Sequence, residues 1–144
     1  GARFEKKNNF VFDVIQDVLD MMNVMTNARV SGILNLGGGT TKSFIQQATL
    51  SSFLQKEHHH GHKYAIQIST DAPHPGGRSN AVSFDEGLIY GKLARGAHTA
   101  YVPCDATIAL PILITSLSQT AAKYMKGRKK PNFGFGRELV VEAP

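Results

Sequence analysis

This chain of 144 residues contains a single cysteine, Cys104. It also has no apolar run near the roughly 18 residues that a membrane span requires. One cysteine excludes an intrachain disulfide and a zinc site made of several cysteines, and it favours a reducing compartment. Residues 1–7 lack the pattern of a signal peptide. We therefore expect a cytoplasmic protein with no membrane partner.

Charged residues make up only 19% of the chain and hydrophobic residues 42%, a balance typical of one globular domain. The net charge of +5 is concentrated near the termini. No aromatic residues alternate with the basic ones, as they do on surfaces that stack nucleic-acid bases. This distribution argues against a nucleic-acid partner. The clustered basic residues are Arg3, Lys6 and Lys7 at the start and Lys123, Lys126, Arg128, Lys129 and Lys130 near the end.

Hydrophobic periodicity predicts strands that alternate with helices. We predict helices over residues 9–26 and 40–55 and, after Pro111, within 105–126. Strands are predicted over 30–36, 63–70 and 99–104, and the glycine turn Gly37-Gly38-Gly39 follows the first of them. Residues 127–144 read as an irregular tail, which leaves one domain at 1–126.

Alternating strands and helices predict an α/β fold with a Rossmann-like, doubly wound parallel sheet. Such sheets bind ligands beyond the carboxyl ends of their strands. Here those ends carry the glycine turn, then Thr70 and Asp71, and then Asp105, Ala106 and Thr107. We expect the three segments to converge at one edge of the sheet.

Lys92 closes a segment, residues 84–92, that is predicted to form a short helix. Helical spacing would place its amine on an apolar stripe with Leu88 and Ile89. A desolvated lysine amine is a candidate nucleophile for imine chemistry. The alternative is a surface lysine whose methylene stem covers its apolar neighbours.

The glycine turn continues as Thr40-Thr41-Lys42 into a predicted helix, an arrangement whose backbone N–H groups can receive an anion. It matches neither the dinucleotide fingerprint nor the Walker loop, and a plain tight turn explains it equally well. The histidine cluster at residues 58–62 lacks the spacing and partners of a metal site. We interpret it as a charged loop and predict no metal.

The loop at residues 71–80 is rich in proline and glycine, and it could form a pocket wall or lid or a mobile surface loop. Asp85 and Glu86 follow it at the start of a helix, where acidic residues complement the helix dipole. Glu86 and Tyr90 are four residues apart and share a helix face. A carboxylate beside an aromatic ring suits the ammonium group of a polyamine.

Taken together, these residues resemble the C-terminal half of the deoxyhypusine synthase family, as part of a larger NAD-binding fold. The resemblance covers residues 10 to about 124 and is nearest to the bacterial and archaeal deoxyhypusine synthase-like group. It is carried by Leu36-Gly37-Gly38-Gly39-Thr40-Thr41-Lys42, Tyr64-Ala65-Ile66-Gln67-Ile68-Ser69-Thr70, Asp85-Glu86 with Tyr90-Gly91-Lys92, and Cys104-Asp105-Ala106-Thr107 with Leu110-Pro111.

The resemblance implies a transferase of hypusine biosynthesis that uses NAD to move the aminobutyl group of spermidine to an amine acceptor. Lys92 matches the lysine that captures the imine. Glu86 looks like the carboxylate that holds the polyamine, and Tyr90 stands where the family usually has a tryptophan. The resemblance places Ser43, Gly76, Gly77 and Ser79 at the substrate pocket, and Thr70, Asp71, Asp105, Ala106 and Thr107 along the NAD site.

Ser43-Phe44 replaces the paired histidines of eukaryotic members, which leaves the acceptor open. It would be a lysine of the hypusine-containing translation factor precursor, or a small amine that gives homospermidine. Members are much longer chains that build their sites at subunit interfaces of tetramers. The resemblance therefore implies that this chain is inactive alone and acts in a homotetramer or with a chain that supplies the N-terminal half. A non-catalytic paralogue that activates a partner and a free-standing nucleotide-binding module are further alternatives.

Overall fold

A central parallel sheet flanked by helices organises the chain. The computed structural model describes residues 12–54, 61–71, 84–135 and 139–142. The elements in chain order are α1 (Val14–Asn27), β1 (Gly32–Leu36), α2 (Thr40–Leu54), β2 (His62–Ser69), α3 (Phe84–Ile89), β3 (Leu93–Pro103), α4 (Ala106–Met125), β4 (Asn132–Phe135) and β5 (Leu139–Glu142). The first three strands form the sheet in the order β1-β2-β3, and both pairings are parallel. The predicted Rossmann-like α/β fold is confirmed.

The core lies on one face of this sheet. Side chains of β1 alternate between buried and exposed, as expected of a strand with one covered face. Ile33 of β1 packs there with Ala65 of β2 and Leu93 of β3, and Ile45 of α2 packs against the cluster. The helix that follows the glycine turn therefore covers this face of the sheet.

Helix α1 is shorter than the sequence predicts. It begins at Val14 because the Asp13 carboxylate accepts hydrogen bonds from the backbone N–H groups of Ile15 and Gln16, the geometry of an N-cap. Its buried residues are Met22 and Met25, and it lies against α2 and β5. Methionine side chains adapt to such irregular contacts between elements.

The C-terminal residues form a hairpin, which corrects the prediction of an irregular tail over residues 127–144. Strands β4 and β5 pair in antiparallel register, with Phe133 opposite Val141. The hairpin is tied to α1, because Asn23 donates a hydrogen bond to the Leu139 carbonyl and the Leu139 amide donates to Asp20 at 3.3 Å. These bonds join residues far apart in the chain, so local sequence patterns did not indicate them.

Lys92 does not lie in a helix, contrary to the prediction for residues 84–92. Helix α3 ends at Ile89 and Gly91 takes a positive φ of 69°, with its N–H donating to the Leu88 carbonyl at 3.2 Å. A glycine in this conformation ends a helix without steric cost. Leu88 and Ile89 are exposed, so the expected buried stripe is absent at these two positions.

Strand β3 begins at Leu93, six residues earlier than predicted. Its pairing with β2 jumps from His62 opposite Leu93 to Tyr64 opposite His98, so the extra residues of β3 form a bulge. Gly96, with a φ of 73°, lies in this bulge. The irregular start of the strand obscures its two-residue period, which explains why the sequence predicts only its second half.

Helix α4 begins at Ala106 and includes Pro111, although helix was expected only after that proline. Asp105 is the N-cap of α4, and this cap allows the helix to begin at Ala106. The helix continues through Pro111 although proline lacks the N–H for one of its backbone hydrogen bonds. No residue of α4 is buried, and several large apolar side chains are exposed on it: Ile108, Ile112, Ile114, Leu117, Tyr124 and Met125. Even so, none of the described helices has both the length and the hydropathy needed to cross a bilayer.

Gly61→Ala should destabilise the fold by about 1–3 kcal/mol, because there is no room for the added methyl group. A Cβ at Gly61 would lie 2.4 Å from the carbonyl carbon of Leu93 and 2.7 Å from the carbonyl oxygen of Gly91. Gly134→Ala is the matched control, since its Cβ would meet Val140 at an ordinary 3.7 Å. Urea unfolding midpoints measure both, and equal midpoints would show that the chain does not approach itself so closely at Gly61.

Candidate functional site

The carboxyl ends of the three parallel strands form a cleft of about 310 Å³. The glycine turn, the residues after β2 and the residues after β3 meet there, as predicted for this edge of the sheet. We call it the carboxyl-edge cleft. Its lining residues are Leu36, Gly37, Ile68, Ser69, Thr70, Asp71, Cys104, Asp105 and Ala106.

The first wall of the carboxyl-edge cleft is the glycine turn. Gly37 and Gly39 have φ values of 79° and 71°, which favour glycine. Apart from the glycine itself and its chain neighbours, no atom of the described residues lies within 4 Å of the position of a Cβ on either residue. The Gly37 amide donates to the Ile68 carbonyl of β2 at 2.7 Å. The turn is therefore held against the sheet by its backbone while its outer side stays open.

A buried lysine supports this turn from behind. Lys42 in the first turn of α2 is only 2% exposed, and its Nζ donates to Oε1 of Gln67 at 3.1 Å. The side-chain Nε2 of Gln67 in turn donates to the Gly37 carbonyl at 3.2 Å. Sequence reasoning missed this pair as functional residues. The sequence feature that could have revealed the pair is Gln67, a polar residue within the apolar run of β2, because buried polar side chains require partners.

The second wall consists of Thr70 and Asp71, both exposed at the end of β2. The Asp71 amide donates to the Ser69 hydroxyl at 3.2 Å. The Tyr101 hydroxyl of β3 lies 2.6 Å from the Asp71 carbonyl and 3.1 Å from the Ser69 carbonyl. Tyr101 was not among the predicted site residues.

The third wall is the start of α4. Asp105 accepts hydrogen bonds from the Thr107 hydroxyl at 2.7 Å and from the Thr107 amide at 2.8 Å. The hydroxyl bond, followed by the amide bond, lowers the pKa of the Asp105 carboxyl from its ordinary value of 3.8. Asp105 is thus a capping carboxylate that also lines the cleft, and Ala106 follows it as the first residue of α4.

Lys92 lies at the opposite edge of the sheet, immediately before β3. It is 6% exposed, its carbonyl accepts a hydrogen bond from the His62 amide at 3.0 Å, and its Nζ is 5.6 Å from the centre of the Tyr90 ring. A distance under about 6 Å is favourable between an ammonium group and an aromatic face. Tyr90 also lines a neighbouring cleft of about 760 Å³ with Gly91, Leu93 and Arg95, which we call the amino-edge cleft.

The predicted substrate residues are therefore described only in part. Glu86 belongs to α3, but its side chain lies outside the described residues, as do Gly76, Gly77 and Ser79. Ser43 is half-buried in the first turn of α2, where its amide donates to the Gly39 carbonyl at 3.0 Å. Ser43 thus belongs to the edge that carries the glycine turn, and Lys92 to the other.

The histidine cluster falls partly outside the described residues, namely 58–60. We predicted a loop for the whole cluster, but His62 is the first residue of β2. Its Nδ1 lies 2.9 Å from the Ser31 hydroxyl. Within the part of the chain that the structure describes, no group of histidine, cysteine and carboxylate side chains could hold a metal ion.

One chain does not bring Lys92 and the carboxyl-edge cleft together. Lys92 adjoins His62 at the start of β2, whereas the cleft begins at Ser69 at its end. At the usual rise per residue, β2 separates the two by roughly 23 Å. The buried lysine and the carboxyl-edge cleft therefore lie at opposite ends of the same strand.

A parallel sheet with a glycine turn, a helix N-terminus and exposed acidic residues at its carboxyl edge defines a Rossmann-like ligand-binding class. Comparison with known proteins narrows this class. Residues 2–117 match the family model described as deoxyhypusine synthase. The chain belongs to the deoxyhypusine synthase family.

Curated relatives include a probable deoxyhypusine synthase 2 of Archaeoglobus fulgidus, 42% identical over 111 residues, which cover 77% of this chain and 37% of the relative. A protein of the same name from Methanosarcina mazei is 39% identical over 107 residues, 74% of this chain and 31% of that protein. The deoxyhypusine synthase of Arabidopsis thaliana is 33% identical over 117 residues, 80% of this chain and 30% of the plant protein. The chain thus spans about a third of the length of these relatives.

Asp105→Ala should lower stability near neutral pH, because it removes the cap of α4. Since the folded-state pKa of Asp105 lies below the unfolded value, this contribution is complete above about pH 3.8 and is lost as the pH falls through the folded-state pKa. The urea midpoints of wild type and variant should therefore differ at neutral pH and converge in strong acid. Glu142→Ala, which removes an exposed carboxylate of β5 that lies at no helix end, is the control. A difference between wild type and Asp105→Ala that persists in strong acid would contradict the capping account.

Proposed function

We propose that this chain is the C-terminal catalytic part of an NAD-dependent transferase. The enzyme moves the aminobutyl group of spermidine to an amine acceptor, the lysine of the hypusine-containing translation factor precursor. The observation that carries the proposal is the burial of Lys92, with its Nζ over the Tyr90 ring, in a chain of the deoxyhypusine synthase family. Lysines that form imines are typically held in apolar surroundings of this kind.

Several features of the carboxyl-edge cleft fit NAD. The space around Gly37 and Gly39 is open, so a phosphate group could approach the turn and the N-terminus of α2. Thr70, Asp71 and Asp105 offer polar groups for a ribose. At about 310 Å³ the cleft is at the low end of the roughly 300–1,000 Å³ of small-molecule sites, so it would hold part of the dinucleotide and a neighbouring chain the rest.

NAD, when bound, supplies the hydride acceptor that converts spermidine to an imine and, later, the hydride that reduces the product. Lys92 acts between these events. Its amine adds to the imine carbon, the bond from that carbon to the departing diamine nitrogen breaks, and the aminobutyl group is left as an imine on Nζ. The acceptor amine then adds to the same carbon and releases Lys92. Tyr90 would pack on the cationic chain, and Glu86 would bind its terminal ammonium group.

Because β2 separates Lys92 from the carboxyl-edge cleft, we propose a site shared between subunits. The cleft of one subunit would face the Lys92 region of another in a cytoplasmic homotetramer, or in a complex with a chain that supplies the N-terminal half. Intact and native mass of the purified protein would show which assembly exists. A small amine that yields homospermidine is the second candidate acceptor, favoured by Ser43-Phe44 at the position of the family's paired histidines.

Borohydride reduction of the assembled protein with spermidine and NAD should trap the aminobutyl group on Lys92, detected as a mass increase on the peptide that contains it. Lys92→Ala should abolish the label and lower turnover by at least about a thousandfold, because alanine offers no amine to the imine carbon. Lys63→Ala is a matched control, since the Nζ of Lys63 also lies near a tyrosine ring, 5.8 Å from Tyr64, but on an exposed residue.

An absence of label in an assembly that binds NAD and spermidine would reject the lysine-imine mechanism. The alternative that would then stand is a non-catalytic paralogue that activates a partner. Assays with the translation factor precursor and with putrescine as alternative acceptors would separate the two candidate reactions.

Subunit mixing tests the shared site directly. Lys92→Ala and Asp105→Ala should each be inactive, but reassembly of an equal mixture should restore about a quarter of wild-type activity, because some interfaces then pair an intact lysine with an intact cleft. Separately assembled variants, combined without subunit exchange, are the control. If exchange is verified by mass and no activity returns, both groups belong to the same subunit's site.

A further inference from the structure

We infer that Tyr101 is a positioning residue whose hydroxyl fixes the Thr70–Asp71 wall of the carboxyl-edge cleft and thereby sets the affinity for the nucleotide cofactor. The effect on cofactor affinity rests on the proposed function, whereas the role of Tyr101 in fixing the wall does not. Tyr101 lies on β3 opposite Gln67 of β2, two residues before the strand ends at Pro103. Its hydroxyl lies beside the chain as it leaves β2.

The backbone bonds of the sheet do not extend to this wall. Ser69, the last residue of β2, is opposite Pro103, which has no N–H to donate. The next amide, that of Cys104, donates to the Val102 carbonyl of its own strand at 2.9 Å. Neither amide can therefore continue the ladder from β3 to Thr70 and Asp71.

The Tyr101 hydroxyl takes the place of these missing donors. It has one proton, so it can donate fully to only one carbonyl at a time. The distances of 2.6 Å to Asp71 and 3.1 Å to Ser69 indicate that Asp71 is the main acceptor. The Ser69 hydroxyl holds the amide of the same Asp71 at 3.2 Å, so both ends of this residue are fixed.

The consequence concerns binding rather than the chemical step. Thr70 and Asp71 follow β2 directly, and the Tyr101 and Ser69 bonds hold the backbone from which their side chains project. Lys92 lies at the other edge of the sheet, beyond the reach of this bond. Loss of the hydroxyl should therefore loosen one wall of the carboxyl-edge cleft and leave the lysine chemistry intact.

Tyr101→Phe is the decisive variant, because it keeps the half-buried ring and removes only the hydroxyl. In the assembled enzyme we expect the Kd and KM for NAD to rise about 3- to 10-fold, the effect of one hydrogen bond, with kcat within about twofold of wild type. Tyr124→Phe is the matched control, since Tyr124 is an exposed tyrosine of α4. A Tyr101→Phe enzyme with wild-type KM, or with a reduced kcat and unchanged KM, would overturn the inference.

Hydrogen exchange separates this inference from the proposed function. Without cofactor, the Asp71 amide should exchange faster in Tyr101→Phe than in wild type, while amides in the middle of β2 should be unchanged. Unchanged exchange at Asp71 would overturn the positioning role, whatever the enzyme binds. If wild type binds no NAD, the proposed function fails, and the exchange measurement still decides the role of Tyr101.

Discussion

The hydrogen bonding of β2 to a parallel neighbour on each side is the constraint on which both clefts depend. Its backbone pairs with β1 along one edge and β3 along the other, and Ala65 at its centre is fully buried. Its last residue, Ser69, begins one wall of the carboxyl-edge cleft, while its first, His62, binds the carbonyl of Lys92. The length of one strand therefore fixes the separation between the proposed cofactor residues and the proposed nucleophile.

The interior next to this strand is unusually polar. Burial of an unpaired polar group costs free energy, and three of the buried polar side chains bond to partners in other elements. Lys42 links α2 to β2, Gln67 links β2 to the glycine turn, and His62 links β2 to the segment before β1. Networks of this kind favour one arrangement of the elements over others. Among the residues that the structure describes, the buried polar and charged ones are Asn35, Lys42, Gln46, Thr49, His62, Gln67, Ser69 and Lys92.

The sequence predicts those parts of the structure whose cause is local. The apolar runs of β1 and β2, the glycine turn and the convergence of the strand ends follow from periodicity and from the geometry of parallel sheets. The errors have non-local or competing causes. A positive φ at Gly91 ended the predicted Lys92 helix, and the bulge near Gly96 obscured the start of β3. Tyr101 was missed because its role depends on Pro103 lying opposite Ser69, which no pattern along a single strand reveals.

Helix α4 has a consequence for the behaviour of the chain in solution. Its only charged residue is Lys123, and it presents large apolar side chains to solvent over roughly 30 Å at the usual helical rise. What opposes association through this surface is the repulsion between the basic groups at and beyond its end: Lys123, Lys126, Arg128, Lys129 and Lys130. At physiological ionic strength salt largely screens such repulsion between charges more than about 8 Å apart, but it leaves the attraction between apolar surfaces. The balance between the two, and with it the tendency of the chain to associate, therefore depends on ionic strength.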